Sequence, residues 1–165
     1  MTETNAYVLG VDPGTTTGLH LVLFRTSEGH PSSVWHGQYS WHDACAEVDL
    51  RLRDLRTLSI AANVAVAPEQ FTLNAQSAQR GQQGADDALG MLGVVQHYAA
   101  LHAVSLGPRE TASAAKNLIS DKVLRHYDIY HAGQKHSNDA ARHAILLATK
   151  RGWMSGKTLA AGALS

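Results

Sequence analysis

Cysteine is nearly absent. Cys45 stands alone among 165 residues, which excludes an internal disulfide and a zinc ribbon and leaves the thiol as a small core residue. Long apolar runs are missing too: the longest stretches fall well short of the ~20 residues that span a bilayer. The opening Met1-Thr2-Glu3-Thr4 has neither the basic nor the apolar region of a signal peptide, so the expected location is cytoplasmic. Net charge is zero with the histidines neutral, a balance that does not advertise a nucleic-acid partner. There is no internal repeat and no long linker. A chain of this length suits one domain that buries roughly 70% of its unfolded surface. That domain is expected over residues 6–151, followed by a flexible tail at 152–165.

The distribution of charge says more than its sum. After residue 75 there are ten Lys and Arg against six Asp and Glu, a balance of +4 that leaves −4 before it. Such a split allows a basic face beside an acidic pocket, or simply a solvated mixture.

Hydrophobic patterning predicts alternating strands and helices. Ala6 to Val11 is apolar on both faces and reads as a central strand. Leu19 to Phe24 and Ser33 to Tyr39 follow after short turns, making an antiparallel meander. A helix begins near Ser40, where Asp43 forms a capping box variant, and Ala44, Val48, Leu52 and Leu55 form its buried stripe. The pairs Glu47 with Arg51 and Asp49 with Arg53 support it. Asn63 to Ala67 is a strand that stops at Pro68 and presents Glu69. Gly84 to His102 reads as a helix through Ala88, Leu92, Val95 and Ala99, and Ala103 to Leu106 as a fifth strand. Glu110 to Tyr127 is helical with a break near Ser120 and Asp121. The last helix is expected to start at Ser137 or Asn138, both good caps, and to run to Arg151.

One residue does not fit a packing role. Asp12 ends the buried first strand, where a carboxylate must be paired or bound to a cation. Gly10-Val11-Asp12-Pro13-Gly14, with Gly18 beyond the threonines, resembles the opening motif of the RuvC family of Holliday junction resolvases. Pro68-Glu69-Gln70-Phe71 resembles the second acidic motif of that family, and His136-Ser137-Asn138-Asp139-Ala140-Ala141 the third. The three come in family order across residues 6 to 150. The resemblance implies a ribonuclease H-like α/β fold: a five-stranded mixed sheet, its first three strands antiparallel, with helices on both faces. The third motif departs from the frequent pattern of two acids three residues apart. With Asp139 as the first acid, the second position holds Arg142, which cannot bind a cation. With Asp139 as the second, the first position holds His136, which can ligate a metal or handle a proton. The latter register is preferred, because His136 and Asp139 then share one helical face.

The resemblance implies a structure-selective endonuclease that resolves four-way junctions and related branched DNA by paired nicks, working as a homodimer. Two Mg2+ ions about 4 Å apart, replaceable by Mn2+, would serve the attacking water and the leaving oxygen. Asp12, Glu69, His136 and Asp139 would be their ligands, hard donors apart from the imidazole. Phe71 would stack on a base near the cut, or pack in the core. Arg80, Lys116, Lys122, Arg125 and Lys135 are candidate phosphate contacts. In the polar stretch from Asn74 to Gln83, Gln76, Gln79, Gln82 and Gln83 could face phosphates or solvent.

Other readings stay open. Asp12 could cap its turn, Glu69 could be a surface acid, Asp139 could favour a helix dipole, and His136 could be an exposed loop residue. Asp12-Pro13-Gly14-Thr15-Thr16 also resembles the Asp-x-Gly-Thr-Thr phosphate loop of sugar kinases and actin-like ATPases, but those close two such domains around ATP and need about twice this length. A non-catalytic module that binds branched DNA is the remaining alternative.

Overall fold

A computed structural model describes residues 5–25, 30–58, 62–71 and 82–164. Three strands come first: β1 (Asn5–Asp12), β2 (Thr16–Arg25) and β3 (Pro31–Ser40). Helix α1 (Trp41–Leu58), strand β4 (Ala62–Pro68), helix α2 (Gln82–Leu101) and the short strand β5 (Ser105–Leu106) follow. Helices α3 (Ala112–Leu118), α4 (Asp121–His126), α5 (Lys135–Lys150) and α6 (Gly156–Leu164) complete the chain. The sheet order is β3-β2-β1-β4-β5. The first three strands are antiparallel, and β4 runs parallel to β1 and β5. This is the ribonuclease H-like arrangement expected from the sequence.

Central strands are buried on both faces because helices cover both. Alternate residues of β1 and β2 divide between two cores. Leu9, Val11, Leu19 and Leu21 face α1 and α2 with Val48, Leu52, Met91 and Val95. Ala6, Val8, Val22 and Phe24 lie in the other core with Val123, Leu124, Ile145 and Leu147 of α4 and α5. Cys45 is half-buried beside the first of these cores. The α1 stripe is as expected, with Ala44, Val48, Leu52 and Leu55 inside. Ser40 caps it as expected: the Asp43 amide donates to Ser40 Oγ at 3.3 Å, and Ser40 Oγ, in place of its backbone N–H, donates to the Asp43 carboxylate at 2.7 Å. Arg51 meets Glu47 as expected, but Asp49 pairs with His102 rather than Arg53.

Helix α5 lies unusually close to the sheet. A Cβ on Gly10 would fall on the Ala140 carbonyl, and one on Gly18 would fall on the His136 backbone. These two glycines therefore set how deeply the start of α5 sinks beside the end of β1.

Three expectations need correction. The fifth strand is only two residues long, because Ala103 takes a positive φ of 53° and delays the sheet. Helix α5 starts at Lys135, not at Ser137 or Asn138. Both of those side chains are buried inside its first turns and used for tertiary bonds. Ser137 Oγ donates to the Leu19 carbonyl at 3.3 Å, and the Asn138 amide spans the His131 backbone with bonds of 2.8 and 3.0 Å. Finally, residues 156–164 are helical rather than a frayed tail. Leu159 is buried there, and a Cβ on Gly162 would meet the Tyr127 ring. Among the described residues no helix is long and apolar enough to cross a membrane.

Candidate active site

The site forms where β1 and β4 end and α5 begins. Asp12 is the last residue of β1 and pairs across the sheet with Gly18. Glu69 follows β4, and its amide donates to the Val11 carbonyl at 2.8 Å, which carries the parallel ladder one step beyond Pro68. Asp139 lies one turn into α5, next to Ala140 above Gly10. Three elements distant in sequence thus deliver three carboxylates to one end of the sheet.

The start of α5 is fastened from β3 and β2. Gln134 supplies no side-chain cap, so the free His136 amide donates to Gln38 Oε1 of β3 at 2.6 Å. Beneath it, His20 is fully buried. Its Nδ1 lies 3.3 Å from the Ser137 carbonyl and its Nε2 2.9 Å from Ser33 Oγ, which fits a ring that donates through Nδ1 and accepts from the serine. Burial, with the nearby His36, drives the His20 pKa down to about 3. His36 and His131 stack beside it with ring centroids 3.4 Å apart.

Each carboxylate is paired with a side chain of α5. His136 Nδ1 lies 2.7 Å from Asp12 Oδ2. His143 Nε2 lies 3.1 Å from Glu69 Oε2. Arg142 forms an ion pair with Asp139 Oδ1, and Lys116 of α3 takes Asp139 Oδ2 at 3.0 Å. Burial pushes the Asp12 carboxyl up to about 6; the His136 hydrogen bond opposes this, and the charges of Glu69 and Asp139 add to it. The His136 imidazole is raised above its ordinary value by that same hydrogen bond to Asp12, against a smaller effect of burial.

The structure brings all four expected acids and imidazoles to one place, but it does not bind them into one cage. Among the described residues no three His, Cys, Asp or Glu side chains are placed to hold a single metal ion as they stand. The donor chemistry nevertheless suits a hard cation: Asp12 is buried, its charge is disfavoured by two further carboxylates, and a dication relieves such repulsion.

Beside Asp139 opens a cleft of about 310 Å³ lined by Lys116, Asp121, Tyr130, Lys135, Asn138 and Arg142. Of the expected phosphate contacts, Lys116 and Lys135 therefore border the site. Lys122 and Arg125 are exposed on α4, where Arg125 lies over the Tyr130 ring at 3.6 Å. Phe71 is half-buried just beyond Glu69. Arg80, Gln76 and Gln79 lie outside the described residues.

Sequence reasoning missed His143 as a site residue. The signal was available, because positions 136, 139 and 143 share one helical face and point at one surface. Ten histidines in the chain hid it.

The sheet order, together with acids at the ends of β1 and β4 and on the last long helix that packs on them, defines a ribonuclease H-like fold with an acidic site at its strand ends. Within that class the fold is RuvC-like. The solved structure of T. thermophilus RuvC in complex with a Holliday junction substrate superposes with a TM-score of 0.61, covering 90% of this chain and 97% of that one at 20% identity. A second Thermus thermophilus RuvC structure gives 0.60 at 18% identity, covering 88% and 96%. No protein-family model and no curated protein matches the sequence.

Proposed function

We propose that the chain is a divalent-metal-dependent endonuclease that cuts branched DNA, with four-way junctions as its principal substrate and paired nicks as its product. The observation that carries this reading is the convergence of Asp12, Glu69 and Asp139, from three separate elements, at one end of the sheet, where Asp12 is buried. Structural carboxylates are rarely gathered against their own repulsion. Asp12 and Glu69, with His136, are the side chains that would hold Mg2+ or Mn2+, and Asp139 adds its charge from α5. Such an ion, when bound, activates water and neutralises charge on a phosphodiester.

The chain's own groups have separate tasks. His136, 39% exposed and hydrogen-bonded to Asp12, can hold a proton at the mouth of the site and pass it on. Lys116 and Lys135 line the cleft beside Asp139 and would take backbone phosphates, giving salt-sensitive binding without sequence preference. Phe71, next to Glu69, would stack against an unpaired base. Paired nicks need two sites related by a twofold axis, hence a homodimer.

The internal pairing of every carboxylate favours one second reading, a module that binds branched DNA without cutting it. The two separate on synthetic four-way junction, fork, flap and linear DNA incubated with Mg2+, with Mn2+ and with neither. Metal-dependent junction nicking, reduced more than about 100-fold in Asp12→Asn, is the expected result. Junction binding without nicking would select the second reading, and ATP hydrolysis without nicking would overturn both.

A further inference from the structure

The partners of the three carboxylates differ in kind. Asp12 and Glu69 face the imidazoles of His136 and His143, whose ring nitrogens are themselves able to ligate a cation. Asp139 faces a guanidinium, which stays charged at every accessible pH and has no lone pair to offer. Arg142 is also firmly seated. Its side chain is 8% exposed, and it forms ion pairs with Asp139 and with Asp121. Its Nε donates to the Ile119 carbonyl at 3.0 Å, at the break between α3 and α4. Lys116 occupies the other Asp139 oxygen. Both oxygens of this carboxylate are thus engaged by cations, and Arg142 cannot leave without stranding a buried charge.

We propose that Arg142 is a built-in cation on Asp139 that takes the place of a second divalent ion, so that the DNA-free chain binds one ion, through Asp12 and Glu69, instead of two. This rests on the metal-dependent nuclease reading and narrows its two-ion expectation. A dication on Asp139 would lie within a few ångströms of the guanidinium, and the repulsion weakens that site by about 100-fold or more. The positive charge that a second ion would carry is already present, facing the cleft in which Lys116 and Lys135 lie.

The test counts bound Mn2+ on the DNA-free protein by electron paramagnetic resonance and by calorimetry. Wild type is expected to bind one ion per chain, and Asp139→Asn to keep it with affinity changed less than about threefold. Arg142→Gln is expected to gain a second site, lost again when Asp139→Asn is added. Two ions of similar affinity on wild type would overturn the proposal, as would a folded Arg142→Gln that still binds one. Should Arg142→Gln fail to fold, the wild-type count and Asp139→Asn decide alone. A wild type that binds two ions and nicks junctions with metal removes this inference and leaves the nuclease reading intact, whereas no bound ion and no nicking removes both.

Discussion

His20 shows how a single buried side chain couples the site to pH. It is fully buried under the first turn of α5, with its pKa lowered from 6.5 to about 3 by burial and by His36. Below pH 6.5 the unfolded chain takes up a proton at this position that the folded chain refuses. The stability contributed by neutral His20 is therefore complete above 6.5 and falls away as pH drops toward 3, a loss on the order of a few kcal/mol. His36, lowered by burial and by His131, acts in the same direction. Asp12, raised to about 6, works oppositely and regains stability as pH falls from about 6 through 3.8. Urea midpoints measured from neutral to acid pH on wild type and His20→Gln isolate the effect, and the variant is expected to show a distinctly shallower acid decline. Parallel curves would mean that another group sets it. At this scale the sequence revealed the acids well, because a charge at a buried strand end has few explanations. It revealed their partners poorly. Arg142 was visible as a departure from an acidic pattern, but its fastenings to Asp121 and Ile119 exist only once α3, α4 and α5 meet.

Among the elements, α5 decides whether there is a site at all. It delivers His136, Asp139, Arg142 and His143, and its depth is set by two glycines of the neighbouring strands rather than by its own sequence. Adding a methyl at Gly10 places it on backbone, which cannot rotate away as a side chain could. Gly10→Ala is expected to cost about 3 kcal/mol or more, at or above the upper end of ordinary overpacking, and to show as a lowered thermal midpoint with lost metal and DNA binding. Gly156→Ala, where a Cβ meets nothing within 4 Å, serves as the control and should leave the midpoint unchanged or slightly raised. Elements with a long periodic stripe, such as α1, were legible from sequence because the stripe is local. The start of α5 was not, since Ser137 and Asn138 carry cap chemistry yet spend it on Leu19 and His131. Nor was α6, whose burial depends on α4 lying beneath it.

At the scale of the whole molecule, paired nicks require two copies of the site, and the faces of the sheet differ in what they leave uncovered. The α2 helix turns Ala88, Met91, Leu92, Val95 and Ala99 into the core, while Leu89 and Leu101 remain 47% and 56% exposed. From Leu89 to Leu101 the helix carries no Asp, Glu, Lys or Arg, and Gly93, one turn from Leu89, leaves open space for a neighbouring surface. A helical segment without Asp, Glu, Lys or Arg and with two leucines outside suits contact with its own copy, since a twofold axis sets identical patches together. If α2 is the interface of the proposed homodimer, Leu89→Glu brings two buried carboxylates face to face across that axis. Dimer dissociation should then rise by tenfold or more, about 1.4 kcal/mol for each factor of ten, while the monomer fold, in which Leu89 is already half exposed, keeps its thermal midpoint. Light scattering across a dilution series would read the first and calorimetry the second. Junction cleavage gives an independent readout: wild type should release two nicks together, and Leu89→Glu should nick one strand at a time. A variant that stays dimeric and still nicks in pairs places the twofold interface on another face of the molecule.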